Sequence, residues 1–131
     1  MQRGKQTDLL QMISDYMENG FLENIIDMYR HDATLYRLIG ELIQDERVRV
    51  RLGTTALIEE LKRLDPGNIS LALESLHPLL DHPDAVVRGD SANLVGVIGD
   101  SEFIPHLERL LSDQNDNVRV IAKEAIAEIT K

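Results

Sequence analysis

Charged residues that recur at a fixed spacing are the first candidates for chemistry in this chain. Three arginines each follow an acidic residue or a histidine by six positions: Arg51 after Asp45, Arg88 after His82 and Arg119 after Asp113. These side chains could line a charged binding surface. They could instead be structural, with each arginine bound to a carboxylate or carbonyl of a neighbouring loop. Because the spacing recurs along the chain, we favour the structural interpretation.

The other polar residues do not form a metal-binding or catalytic pattern. No two of the four histidines are four residues apart, and there is no cysteine to complete a zinc site. No serine lies in the Gly-flanked turn of an activated nucleophile. The carboxylates of Glu59, Glu60, Asp81 and Asp84 are interpreted as solvated. We therefore predict no catalytic residue, no metal and no cofactor, and we expect a protein that is not an enzyme.

The overall charge argues against two classes of partner. With 23 acidic residues against 14 basic ones, the chain has a net charge of −9, so nucleic acid and anionic membranes repel it on average. No stretch approaches the roughly 18 consecutive apolar residues of a membrane span, and the start MQRGKQTD does not resemble a signal peptide. Together with the absence of cysteine, this predicts a cytoplasmic protein that binds neither nucleic acid nor membrane.

Apolar and small residues recur at helical spacing in three similar copies. The copies are Val50, Thr54, Leu57, Ile58 and Leu61; Val87, Ser91, Leu94, Val95 and Ile98; and Val118, Ala122, Ala125, Ile126 and Ile129. Steps of three and four residues place each set on one face of a helix. The copies are offset by 37 and 31 residues, and such periods are typical of a stacked repeat array. We therefore predict an all-α solenoid.

Capping and helix-breaking residues predict about eight helices. We place seven of them at residues 7–19, 21–29, 33–44, 69–80, 85–98, 102–111 and 116–130, and the remaining one follows Asp45 and carries residues 50–64. The predicted capping residues are Thr7 or Asp8, Asp45, Asp84, Ser101 and Asn115. Gly20 should stop the first helix. Pro105 fits the first turn of its helix, whereas Pro78 should kink or interrupt the helix that contains it.

The third copy contains a family motif. The string L-L-x-D-x-x-x-x-V-R-x-x-A-x-x-A-I, from Leu110 to Ile126, resembles a HEAT repeat and, more narrowly, the short HEAT-like repeats of phycobilisome lyases. The copy at 79–98 matches it, with Ala92 and Gly96 as small residues. The copy at 42–61 has Thr55 and Glu59 where small residues are usual.

The resemblance implies one domain, residues 1–131, built as a right-handed superhelix of antiparallel helix pairs. Three repeat units would cover residues 33–131, and residues 7–32 would form an atypical helical cap at one end of the stack. The second helix of each unit would line a concave surface. Four of the five aromatic residues (Tyr16, Phe21, Tyr29 and Tyr36) and Met12, Met17 and Met28 lie within the first 36 residues. They could fill irregular core space or form a binding surface, and we favour the core.

A non-catalytic protein–protein interaction module is the function that these features predict. Positions outside the packing faces should form an open strip along the second helices: Leu52, Gly53, Ala56, Glu60 and Arg63; Gly89, Asp90, Asn93, Val97 and Asp100; and Val120, Ile121, Glu124 and Glu128. This strip would have an apolar centre with acidic residues around it, as recognition surfaces do.

The expected partner is another protein, bound through a helix or extended segment with basic residues. A homodimer through a terminal repeat is a further hypothesis. The alternative function is an accessory or chaperone-like lyase factor that holds a bilin or another cofactor-bearing protein. That alternative is supported only by analogy with the bilin lyases.

Overall fold

The computed structural model describes the backbone of residues 2–131 and the side chains of residues 8–131. Every regular element in this part of the chain is helical. The α-helices are α1 (Gln2–Glu18), α2 (Leu22–His31), α3 (Ile39–Leu42), α4 (Val48–Leu64), α5 (Leu73–Leu76), α6 (Ala85–Ile98), α7 (Ile104–Arg109) and α8 (Asp116–Ile129). Short 3₁₀ helices span Ala33–Leu38, Ile69–Ala72, His77–Asp81, Ser101–Phe103 and Leu110–Ser112. The prediction of an all-α fold with about eight helices is confirmed.

The first helix of each repeat is short and continuous with 3₁₀ turns. The interruption predicted at Pro78 is confirmed, because α5 ends at Leu76 and a 3₁₀ helix with Pro78 near its start follows. The predicted extent of one helix over residues 69–80 is wrong, since residues 69–72 also form a 3₁₀ helix. Proline lacks the N–H that an α-helix interior requires, and its ring clashes with the preceding turn. Pro105 lies at the start of α7, as predicted.

Two of the predicted caps are confirmed and one is displaced. The carboxylate of Asp84 accepts the Val86 N–H at 2.9 Å, and the side-chain oxygen of Asn115 accepts the Val118 N–H at 3.1 Å. The prediction of Ser101 as a cap is wrong. Asp100, one residue earlier, caps that segment by accepting the Glu102 N–H at 2.9 Å.

Two other helix starts also differ from prediction. Asp45 does not cap α4, because its carboxylate accepts the Arg47 N–H at 2.8 Å in a turn that ends before the helix begins at Val48. The predicted start at Thr7 or Asp8 is wrong too, since the backbone of α1 begins at Gln2. A residue that can cap a helix need not do so. Gly20 ends α1 as predicted, with a φ of +83° that glycine tolerates.

The predicted packing faces form the core. All five residues of the first copy are buried. In the other two copies every member is buried except Val87, Ile126 and Ile129, which are half-buried. The residues near the N-terminus are divided: Tyr29, Tyr36 and Met17 are buried, whereas Met12, Tyr16 and Phe21 are exposed. The expectation that this group fills the core is therefore right for only part of it.

The helix pairs are stacked in chain order. Unit 1 comprises residues 33–64, unit 2 residues 69–98 and unit 3 residues 101–129, with α1 and α2 preceding them. The second helices of the three units, α4, α6 and α8, are neighbours in that order, and α1 packs against α4 on the other side. Each second helix therefore has a neighbour on its flank as well as a core below it.

Candidate functional site

Two glycines let α6 and α8 approach closely. A Cβ added at Gly96 would lie 2.7 Å from the Cβ of Ala125, and one added at Gly89 would lie 3.0 Å from Cδ1 of Ile121. Real Cβ atoms almost never approach another heavy atom within 3.0 Å, so the absence of a side chain is required at Gly96. Unit 2 and unit 3 therefore meet backbone to backbone along this flank.

The corresponding flank of α4 has larger residues. Leu52 occupies the repeat position of Gly89, and Glu59 occupies that of Gly96. Leu52 is 66% exposed and Glu59 is exposed. These side chains do not permit the close helix approach that glycine allows, and a groove opens beside Glu59.

The groove has a volume of about 420 Å³ and is lined by α4, α6 and α8. Its lining residues are Glu59, Lys62, Asn93, Gly96, Val97, Glu124, Ala125 and Glu128. Three carboxylates and one ammonium give the lining a formal charge of −2. Its apolar lining consists of Val97, which is half-buried, and of Gly96 and Ala125, which are buried. This combination suits a ligand that is cationic at one end and apolar along its length.

Lys62 already places a cation in the groove. Its Nζ donates a hydrogen bond to the carbonyl oxygen of Val97 at 2.6 Å, near the C-terminal end of α6, where the helix dipole favours positive charge. The pKa of the Glu128 carboxyl is lowered mainly by its hydrogen bond from Lys131 and further by the charges of Lys131 and Lys62. Glu128 therefore already has an ammonium partner in Lys131.

Four residues of the predicted strip lie together in this groove: Asn93, Val97, Glu124 and Glu128. Asp90 and Ile121 instead line a separate cavity of about 200 Å³ beside Gly89. Leu52 and Val120 are exposed, and Ala56 and Glu60 are half-buried, but none of these four lines either cavity. The structure thus brings together only part of the predicted surface.

Several of the strip positions are in contact between helices. Gly53 faces Met17 of α1, whose side chain an added Cβ would overlap. Gly89 is buried against Ile121, and both Val97 and Ile121 pack on the core. The expectation that these positions face away from packed surface is wrong, because a stacked helix has a preceding and a following neighbour.

Glu59 and Lys62 are groove residues that the sequence analysis did not assign to the binding surface. A signal for Glu59 was present, since it replaces a small residue at a position where the repeats pack closely. Lys62 gave no comparable signal. Its contribution depends on reaching the carbonyl of Val97, which lies 35 positions later.

The recurrent arginines all make the same local contact. In each unit an Nη1 atom donates to the carbonyl six residues earlier: Arg51 to Asp45 at 2.8 Å, Arg88 to His82 at 2.9 Å and Arg119 to Asp113 at 2.5 Å. This contact ties the start of each second helix to the loop before it. The six-residue spacing thus has a structural explanation.

Arg88 also connects two units. Its Nε and Nη2 donate to the two carboxylate oxygens of Asp113 at 2.8 and 2.9 Å, and the two side chains are 16% and 9% exposed. The Arg88 guanidinium holds the pKa of the Asp113 carboxyl below its usual range. Asp45 is paired differently, with Arg47, which also reaches Asp15 on α1 at 3.0 Å.

Within the part of the chain whose side chains are described, no three histidine or acidic residues lie close enough to hold a metal ion. Among the described helices, none is long and apolar enough to cross a membrane.

The fold defines the class of protein: an α-solenoid of stacked helix pairs. A comparison with protein families finds that the family described as HEAT repeats matches residues 36–127. The chain belongs to the HEAT repeat family. A search of curated proteins found no match to the chain. HEAT repeats generally mediate protein–protein interaction and are typically non-catalytic scaffolds.

Proposed function

We propose that this protein is a non-catalytic interaction module that binds a basic segment of a partner protein. The binding site is the groove between α4, α6 and α8, on the concave side that the second helices form in this family. The observation that carries the proposal is the pairing of three carboxylates, Glu59, Glu124 and Glu128, with the half-buried apolar side chain of Val97. We further propose a cytoplasmic location, in keeping with a chain that has no cysteine.

The chemistry of the groove specifies the ligand. Lysine and arginine have an apolar stem and a cationic head, so the stem can cover Val97 while the head reaches a carboxylate. Lys62 provides an internal example of an ammonium group held in the groove, because its Nζ donates to the Val97 carbonyl. A helix or an extended segment can present such side chains at regular intervals.

Comparative affinity purification from the source cells tests this proposal. The bait proteins are the wild type, a groove variant (Glu124→Gln with Glu128→Gln) and a control variant (Glu102→Gln with Glu108→Gln). Both variants change the net charge equally and nearly isosterically, and the control residues are exposed and outside the groove. We expect the wild type and the control variant to retain the same partner and the groove variant to lose it.

Two outcomes would contradict the proposal. A partner that all three baits retain equally would place binding elsewhere on the surface. A partner that both variants lose equally would show that overall charge determines capture. Mass spectrometry of the retained fraction identifies the partner, and its contacting segment should contain lysine or arginine.

A further inference from the structure

The two junctions between the repeat units are built differently. At the junction of units 2 and 3, Arg88 makes its two hydrogen bonds to Asp113 of the following unit. By repeat position, Arg51 corresponds to Arg88 and His82 corresponds to Asp113. The junction of units 1 and 2 therefore has a histidine where the next one has the carboxylate that binds arginine.

His82 cannot replace that carboxylate. Its Nδ1 accepts the Asp84 N–H at 3.0 Å, the same local bond that Asp113 makes with Asn115 at 2.9 Å. A neutral imidazole whose Nδ1 accepts a hydrogen bond has its proton on Nε2, so neither nitrogen is left to accept a guanidinium N–H. Arg51 instead approaches Asp90, with its Nε 3.9 Å from the carboxylate.

The flank beside the groove is also open at this junction. Leu52 and Glu59 are exposed at the positions where Gly89 is buried and Gly96 contacts Ala125. At this junction Lys62 of α4, whose side chain is exposed and flexible, donates one hydrogen bond to the Val97 carbonyl of α6. A single bond of this kind constrains the distance between two helices less than close backbone packing does.

The opposite side of the same junction is tight. The Gly40 N–H donates to Oγ of Ser75 at 3.0 Å, and a Cβ added at Gly40 would lie 2.6 Å from the Ser75 carbonyl oxygen. The first helices of units 1 and 2 thus touch at their backbones, whereas α4 and α6 are in contact without the close glycine packing that joins α6 to α8. Close contact on one side and looser packing on the other would allow a hinge motion.

We infer that the junction of units 1 and 2 is a hinge that pivots at the Gly40–Ser75 contact and sets the width of the groove. Units 2 and 3 move as one body, because the Arg88–Asp113 pair and the glycine flank join them. Unit 1 moves relative to that body, and the Lys62–Val97 hydrogen bond forms when the groove narrows. Where the proposed function holds, this motion adapts the groove to its ligand.

Distances between spin labels test the hinge in the protein without any partner. The chain has no cysteine, so introduced cysteines are labelled selectively. Arg49, Val86 and Asn117 occupy equivalent positions on α4, α6 and α8, and all three are exposed. The pair Arg49→Cys with Val86→Cys reports on the hinge, and the pair Val86→Cys with Asn117→Cys reports on the fixed junction.

We expect the distance distribution measured by dipolar electron paramagnetic resonance to be broader across the hinge than across the fixed junction. His82→Asp should narrow the hinge distribution, because it supplies a carboxylate for Arg51. His82→Asn, which keeps an acceptor for the Asp84 N–H but has no charge, should leave that distribution broad. Lys62→Met should broaden it further.

Equal widths at the two junctions in the wild type would overturn the inference. The inference would also be overturned if His82→Asp left the distance distribution across the hinge unchanged. The same holds if His82→Asn narrowed that distribution as much as His82→Asp does. Because no ligand is present in this experiment, its result is independent of whether the groove binds a basic segment.

Discussion

The glycines of α6 offer a matched test of the close contact between units 2 and 3. Gly96→Ala and Gly89→Ala make the same chemical change in the interior of the same helix. At Gly96 the new Cβ would lie 2.7 Å from the Cβ and 2.8 Å from the Cα of Ala125. At Gly89 the nearest atom is the terminal Cδ1 of Ile121 at 3.0 Å, and a side-chain end can rotate away.

The expected magnitudes follow from two opposing effects. Replacing a helix-interior glycine by alanine favours folding by about 1 kcal/mol at either site. Overpacking a close contact costs about 1–3 kcal/mol, and the upper end applies at Gly96 because the backbone of α8 would have to shift. We therefore expect Gly96→Ala to lower the free energy of unfolding by about 2 kcal/mol. Gly89→Ala should be neutral or stabilising by up to about 1 kcal/mol.

Urea denaturation followed by far-ultraviolet circular dichroism measures both values. The comparison depends on the difference between the two variants, so errors in extrapolation to water largely cancel. Equal effects of the same sign at Gly96 and Gly89 would refute the argument that α8 lies against the backbone at Gly96. A stabilising Gly96→Ala would show that the two helices are further apart than described.

Other predictions concern the core, the arginines and cofactor binding. Leu94 is fully buried, so Leu94→Ala should lower the free energy of unfolding by about 2–5 kcal/mol. Asn93 is exposed, so Asn93→Ala should change it by less than about 0.5 kcal/mol. Equal losses in the two variants would show that the helix face is misassigned. Arg88→Ala should lower the urea midpoint more than Arg51→Ala, because Arg88 donates two hydrogen bonds to a carboxylate of the next unit whereas Arg51 only approaches Asp90 at 3.9 Å. Equal midpoints would contradict that role. Because the pKa of Asp113 is lowered, its pairing with Arg88 stabilises the fold above the usual carboxyl pKa of about 4, and this stability is lost as the pH falls through the folded-state pKa. The wild type should therefore lose more stability than Arg88→Ala when the pH is lowered. Superimposable profiles of stability against pH would contradict the pairing. The absorbance spectrum of added haem or bilin should not change with the purified protein, and a saturable spectral shift would favour the chaperone-like alternative.

The long second helices were predictable because one face of each is buried. Burial selects apolar residues at Val50, Leu57 and Leu61, and helical geometry spaces them by three and four. The short first helices were harder to predict, since 3₁₀ and α turns have similar local preferences and Pro78 determines where one becomes the other. The start of α4 was predicted wrongly because the Asp45 carboxylate accepts a hydrogen bond from the Arg47 N–H in the preceding loop and does not cap the helix.

The binding surface could be predicted only in part because a helical pattern gives the buried face and not the neighbours on the flanks. Asn93 and Glu124 were assigned correctly to open surface, and they do line the groove. Gly53 and Gly89 were assigned to the same surface, although a glycine in a helix interior costs stability and often indicates a close neighbour. The groove itself depends on the difference between the two junctions, which no single repeat reveals.

Amide chemical-shift mapping by NMR is the measurement that tests groove binding most directly. The protein is titrated with a synthetic amphipathic helical peptide that carries lysines, and with the same peptide in which glutamine replaces every lysine. We predict that the lysine peptide shifts the amide signals of residues lining the groove, among them Asn93, Val97 and Glu124, and that the glutamine peptide does not. Glu124→Gln with Glu128→Gln should weaken the response to the lysine peptide. Glu102→Gln with Glu108→Gln should leave that response unchanged. Shifts spread evenly over the acidic surface, or confined to residues away from the groove, would contradict the proposed function.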